Sequence, residues 1–323
     1  MSFIRFSQCW LGAAAVGLCA LSPALAQDKS VAVLAIVEHP ALDAVRDGVR
    51  QALADAGFEA GKNLRWQYQS AQGNTGTAAQ IARKFVGDRP DAIVAIATPA
   101  AQAVVAATRE IPVVYTAVTD PVAAQLVPSW DASGTNVTGV SDQLDLDVQL
   151  ALIRQIAPQA VRVGTIYNPG EANSVVVVRQ LQELLPQHGM QLVEAAAPRT
   201  VDVAAAARSL AGKVDVIYTS TDNNVASAYE ALYKTGVDAG IPLIASDAEL
   251  VSRGAAAALG VDYYQLGLQT GEQVVRILKG EKPGDIASET SRKQELYVNP
   301  AAAQAQGAAL PPALLETAAH VVE

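Results

Sequence analysis

The stretch Val31-Ala32-Val33-Leu34-Ala35-Ile36-Val37, followed at once by Glu38-His39-Pro40, decides how this chain reads. An unbroken apolar run of β-branched and small residues suits a strand buried on both faces, as in a parallel sheet. The polar pair and the proline then mark a turn into a helix. Residues 40–56 carry Leu42, Val45, Val49 and Leu53 at helical spacing, and Gly57 closes the segment.

Outward from this first β-α unit the pattern continues. Spacing predicts strands over 64–69, 91–97 and 112–117, with helices over 75–86 and 99–108 between them. Roughly 130 residues later the rhythm returns. Strands are expected over 161–167, 190–195, 214–219 and 242–245, and helices over 172–185, 201–210 and 226–239. Each run suffices for one open parallel sheet with helices on both faces, so the fold class is α/β with two doubly wound, Rossmann-like lobes. The architecture is duplicated, with no visible repeat of residues. Between the halves, 128–142 is rich in Ser, Gly, Asn and Thr and reads as a crossing segment. A short apolar run at 255–260, a long helical pattern at 264–278, a polar loop at 282–293, a short strand at 295–298 and a helical tail imply further crossings.

The first 26 residues read as a segment apart. Arg5 is their one charge, an apolar run spans 10–21, and Ala24-Leu25-Ala26 ends them. A basic start, a short apolar stretch and an A-x-A site describe a cleaved secretory signal peptide. Lipid anchoring at Cys19 is disfavoured, because Leu18 stands where that processing wants a small residue. Cleavage after Ala26 removes Cys9 and Cys19, both of the chain's cysteines. It excludes disulfides, thiolate metal sites and cysteine nucleophiles from the remaining 297 residues.

Composition narrows the function classes. Of 323 residues, 50% are apolar and 17% charged, which fits a large globular core rather than a disordered chain. A net charge of −9, or −10 without Arg5, argues against a nucleic-acid partner. No phosphate-binding glycine loop follows the first strand, where Glu38-His39-Pro40 stands instead. No G-x-S-x-G or H-E-x-x-H occurs, and the three histidines (His39, His188, His320) are scattered, so no metal and no cofactor is expected.

Candidate binding residues come from the strand ends, since ligands of open parallel sheets bind beyond the carboxyl ends of the strands. Glu38 and His39 follow the first strand, Thr98 and Ala100 the third, Thr119 and Asp120 the fourth. In the second half the same positions bring Asn168, Asn173 and Ser174, then Thr219, Asp222 and Asn223, then Asp247. Singly, such residues are helix caps first. Collectively, two facing edges of hydroxyls, amides and carboxylates make a polar cleft for a small ligand. The helix starts at 98–101 and 173–174 are expected to hold an anionic end of it. Asp222 or Asp247 is expected to hold an ammonium. Tyr115, Tyr167, Tyr218 and Tyr263 are available to stack on a ring.

Certain motifs carry a family likeness: Val118-Thr119-Asp120-Pro121-Val122 with Leu126-Val127, Asn136-Val137-Thr138-Gly139-Val140-Ser141, Tyr167-Asn168-Pro169 with Asn173-Ser174, and the tail Asn299-Pro300-Ala301-Ala302-Ala303 with Gly307, Leu310-Pro311 and Ala318. In these the chain resembles the type I periplasmic substrate-binding proteins of ABC importers, in the branch that binds tryptophan and related aromatic amino acids. It departs from that pattern at Gln125, where a glycine is expected, and at Asp131-Ala132-Ser133, which replaces a Pro-Gly turn. The resemblance implies residues 27–140 plus 262–290 as an N-terminal lobe and 141–261 plus 291–323 as a C-terminal lobe, joined by a three-stranded hinge. It implies a monomeric periplasmic receptor that closes on an amino acid or similar small molecule and docks on a membrane permease. The competing reading is an exported hydrolase-type enzyme that uses His39 and a carboxylate in the same cleft. A repressor of this fold would need an N-terminal DNA-binding segment where the export signal stands.

Overall fold

A computed structural model of the chain describes residues 28–322, so the expected signal peptide lies outside the described residues. The first half forms β1 (Lys29–Ala35), α1 (Pro40–Asp55), β2 (Leu64–Ser70), α2 (Thr75–Asp88), β3 (Ala92–Ile96), α3 (Thr98–Ala107), β4 (Val113–Val118) and β5 (Val137–Ser141). The second forms α4 (Leu146–Ile156), β6 (Arg162–Tyr167), α5 (Ala172–Leu184), β7 (Gln191–Ala196), α6 (Val203–Leu210), β8 (Val216–Thr219), α7 (Asn223–Ser227), α8 (Tyr229–Ala239), β9 (Leu243–Asp247), α9 (Glu249–Ser252) and β10 (Ala257–Val261). The chain then adds α10 (Tyr263–Leu278), β11 (Glu289–Thr290), β12 (Gln294–Val298), α11 (Pro300–Ala305), α12 (Pro312–Thr317) and β13 (His320–Val321).

Two sheets result, with strand orders β2-β1-β3-β4-β5-β11 and β7-β6-β8-β9-β10-β12-β13. Every named pairing is parallel except β10 with β12. Read through their first five strands, both lobes have the same 2-1-3-4-5 winding, whose ligand-binding switch point lies between strands 1 and 3. The central strands β3 and β4 are buried along their whole length, as a sheet covered on both faces requires. The chain crosses between the sheets three times, near 142–145, at Asp262 and at 291–293. No helix of the described residues is long and apolar enough to cross a membrane.

The duplication reaches individual residues, which the sequence does not reveal. In the first lobe Asp91 Oδ2 accepts hydrogen bonds from the backbone N and hydroxyl of Ser30, at 2.7 and 2.8 Å. In the second, Asp215 Oδ2 accepts from the backbone N of Val161 and Arg162, at 2.9 and 2.7 Å. Each aspartate precedes the third strand of its lobe and pins the start of the first.

Other differences from expectation have local causes. β5 sits inside the presumed crossing segment, because its five residues, all buried, are flanked by turn formers that mask them. α4 was not anticipated. The helix expected over 226–239 is broken at Ala228, whose φ of −119° and ψ of 30° leave the helical region. The polar stretch 282–293 contains β11, and the tail ends in β13 rather than in helix.

α10 packs backbone to backbone on α1. A Cβ on Gly267 would strike the carbonyl of Val45, and one on Gly48 would strike that of Tyr264. These two glycines let the helices approach closely enough to complete the first lobe's core.

Candidate functional site

The carboxyl ends of the two sheets face one another. Two adjoining pockets between them share Asp142, Ser220 and Thr221. The larger is lined from the switch point of each lobe, by His39 and Ala97 after β1 and β3, and by Asn173, Asp222 and Asn223 after β6 and β8. Ala117, Asp247 and Tyr263 complete its wall. Ala97 and Ala117 have φ of 75° and 52°, a region that favours glycine. Such strain concentrates where the surrounding fold forces a backbone toward a ligand. The lobes meet across the cleft, where Thr119 and Thr221 share a hydrogen bond of 2.8 Å between their hydroxyls. His39 meets Asn223.

Electrostatics define this pocket. Asp142 is 2% exposed. Tyr263 donates its hydroxyl to Asp142 Oδ2 at 3.0 Å, but Oδ1 has no partner. Burial pushes Asp142 up to about 6. Asp247, also buried, accepts only the backbone N of Glu249 at 2.9 Å and is pushed up to about 7, mainly by burial and further by the charges of Glu249 and Asp142. Among the described residues, no Lys or Arg lines either pocket. Arg253, the cation whose charge reaches Asp247, is paired with Glu230 at 2.8 Å. His39 offers no compensating charge, because burial and the charge of Arg253 hold it down at about 4. Two buried carboxylates without a cation are unfavourable unless one arrives from outside. Asn173 Oδ1 and Ser220 Oγ are also buried and unpartnered.

The smaller pocket is more apolar, with Leu144, Leu146, Val177 and the ring of Tyr218 on its wall and Gln143 and Gln180 beside them. Its lining matches an apolar group with a polar tip, next to the charged compartment.

Of the residues singled out from sequence, His39, Thr119, Asn173, Asp222, Asn223 and Asp247 line the cleft. The others stand behind it or outside it. Thr98 and Ala100 are buried in the first turn of α3, behind Ala97. Glu38 accepts from the Tyr68 hydroxyl and Gln72 Nε2 at the surface. Asp120 accepts from the backbone N of Val122 and Ala123, holding its own turn. Asn168 donates its backbone N to Asp222 at 2.6 Å, and Ser174 donates its hydroxyl to the same oxygen at 2.6 Å. Thr219 lies beside the hydroxyl of Tyr229.

Two expectations change. The start of α5 does not suit an anion, since the buried carboxylates of Glu171 and Asp222 stand beside it. Asp222 is also engaged by Asn168, Ser174 and the backbone N of Val225, which leaves Asp247 freer to meet a ligand cation. Tyr115 is fully buried and Tyr167 donates to Glu194, so of the four tyrosines only Tyr218 and Tyr263 line the cleft. Sequence reasoning missed Asp142 and Glu171. The first follows β5, the strand that went unrecognised. The second follows Pro169-Gly170, and nothing in the sequence marks it as buried against Asn173 and Asn223.

Comparison with known proteins agrees with this geometry. Residues 30–322 match the family model described as ABC transporter substrate binding protein. A "Tyrosine-binding protein" of Clostridioides difficile (strain R20291) is 40% identical over 273 residues, covering 84% of this chain and 79% of the relative. An ABC domain from Streptococcus pneumonia, solved in complex with L-Trp, superposes with a TM-score of 0.88 at 30% identity over 91% of this chain and 100% of that one. A ligand-free, open substrate-binding protein of Clostridium difficile superposes with a TM-score of 0.69 at 41% identity, over 91% and 99%.

Proposed function

Because this chain belongs to the family of ABC transporter substrate-binding proteins, we propose that it is an extracytoplasmic receptor for an aromatic or related α-amino acid, which it surrenders to the permease of an ABC importer. The observation that carries the ligand class is the pair of buried carboxylates, Asp142 and Asp247, in a cleft without Lys or Arg among its described lining residues. An α-ammonium supplies the missing charge. The adjoining pocket's lining of Leu144, Leu146, Val177 and Tyr218 suits the side chain chemically. A tyrosine-binding relative and an L-Trp complex support the same class.

Closure is part of the proposal. The chain superposes better on the L-Trp complex than on the ligand-free open relative, although the latter is the more similar in sequence. A difference in lobe arrangement explains that order, and it supports a hinge at 142–145, 262 and 291–293 between the lobes 27–140 plus 262–290 and 141–261 plus 291–323. The hydrolase reading finds no support in the matched relatives, whose names describe binding.

Titration calorimetry tests the ligand class with L-tyrosine, L-tryptophan and 3-(4-hydroxyphenyl)propionate, which lacks the ammonium. The amino acids should bind at least about tenfold tighter than the propionate. Equal affinities, or chemical conversion of the ligand, would overturn the reading.

A further inference from the structure

Glu171 stands outside the cleft lining, yet it touches two residues that belong to it. It is 5% exposed and precedes α5, whose N–H groups its side chain does not cap. Its carboxylate faces amides instead. Glu171 Oε2 accepts from Asn173 Nδ2 at 3.1 Å and from Asn223 Nδ2 at 2.6 Å, while Oε1 accepts from Asn168 Nδ2 at 3.3 Å.

Asn173 has a second acceptor for the same nitrogen, the backbone carbonyl of Thr221 at 2.7 Å. Its amide therefore has one tenable orientation. Both N–H bonds are used, and a flip would set the amide oxygen against a carbonyl and a carboxylate. Oδ1 is left buried and without a partner, on a residue that lines the charged pocket. Asn223 Nδ2 is held by the same carboxylate, and Asn223 lines the pocket together with His39 of the opposite lobe.

We propose that Glu171 is a positioning residue for ligand recognition: by taking an amide hydrogen of Asn173, it presents Asn173 Oδ1 to the ligand's ammonium, and it holds Asn223 in the wall beside it. This rests on the amino-acid reading given above. An ammonium has three N–H donors, and Asp142, Asp247 and Asn173 Oδ1 offer three acceptors around one pocket. A carboxylate is needed at 171 because it accepts on both oxygens and donates nothing. Glutamine there would turn an N–H group toward at least one of the asparagines and unsettle its orientation.

The experiment compares wild type, Glu171→Gln, Asn173→Ala and the double variant, by calorimetry with L-tyrosine and with 3-(4-hydroxyphenyl)propionate, and by melting without ligand. E171Q should lose about tenfold or more in L-tyrosine affinity and under about threefold for the propionate. N173A should show the same selectivity, and E171Q should add little on the N173A background, because Glu171 acts through Asn173. A purely structural role would weaken both ligands equally, and that result would overturn the proposal. So would unchanged L-tyrosine affinity in E171Q. If E171Q does not fold, N173A decides, since wild-type L-tyrosine binding by N173A overturns the proposal by itself. Failure of the wild type to bind either L-tyrosine or L-tryptophan overturns the functional reading, and this inference with it.

Discussion

Asp142 and Asp247 give the cleft a dependence on pH whose sign is fixed. Both carboxyls are raised by burial, to about 6 and about 7, above the ordinary value near 3.8. The folded protein without ligand therefore holds these protons more tightly than the unfolded chain does. The stability they contribute is fully present below about pH 4 and is lost as pH rises through 6 to 7. His39, lowered to about 4, acts in the opposite sense, with stability lost as pH falls from its unfolded value of 6.5 through 4. Comparison of wild type with Asp247→Asn isolates the carboxyl. The wild type should gain stability relative to D247N as pH falls from 8 to 5, in chemical denaturation without ligand. An ammonium ligand reverses the preference, so L-tyrosine affinity should fall over that range in wild type and change less in D247N. The strained alanines make a separate prediction. Ala97→Gly or Ala117→Gly should raise the stability of the ligand-free protein by about 1 kcal/mol, since glycine reaches their φ without a Cβ clash. At this scale the sequence places His39, Asn173, Asn223 and Asp247 correctly after their strands, because a parallel sheet puts the residues after its strands at one edge. It cannot tell which of them face the cleft and which brace it, because that depends on partners distant in sequence, as when Ser174 turns to Asp222.

Elements were legible where apolar runs are long and bounded, and illegible where they are short. β1, β3, β4 and α10 announce themselves by periodicity. β5 has five residues in a stretch of turn formers, and β11 and β13 have two each, so only the neighbouring strands define them. Missing β5 also hid Asp142, the residue that follows its end. Gln125, where the family pattern wants glycine, has φ of 60°, so the backbone keeps the glycine-like turn at the expense of some strain. The α1–α10 contact supplies a prediction for this scale. Gly267→Ala should destabilise the fold by roughly 1–3 kcal/mol, because its Cβ meets backbone that cannot yield without parting the helices. An exposed glycine such as Gly87, with nothing near its Cβ position, should tolerate alanine with little change. Paired thermal melts of the two variants check this.

Two lobes of one winding, pinned alike by Asp91 and Asp215, meet at their switch points and share a cleft that neither could form alone. Polar contacts bridge them there, Thr119 with Thr221 across the cleft and Asp142 with Tyr263 at the hinge. Polar contacts are easily exchanged for water, so in the proposed closure the ligand that neutralises the carboxylates supplies the driving force. Thr221→Val should therefore speed L-tyrosine release in stopped-flow measurements more than it slows association, because it removes a contact across the cleft that the proposed opening would break. Small-angle X-ray scattering with and without saturating L-tyrosine tests the whole account most directly. The account expects the radius of gyration to fall on addition of the amino acid; an unchanged radius, with binding confirmed by calorimetry in the same buffer, would contradict it.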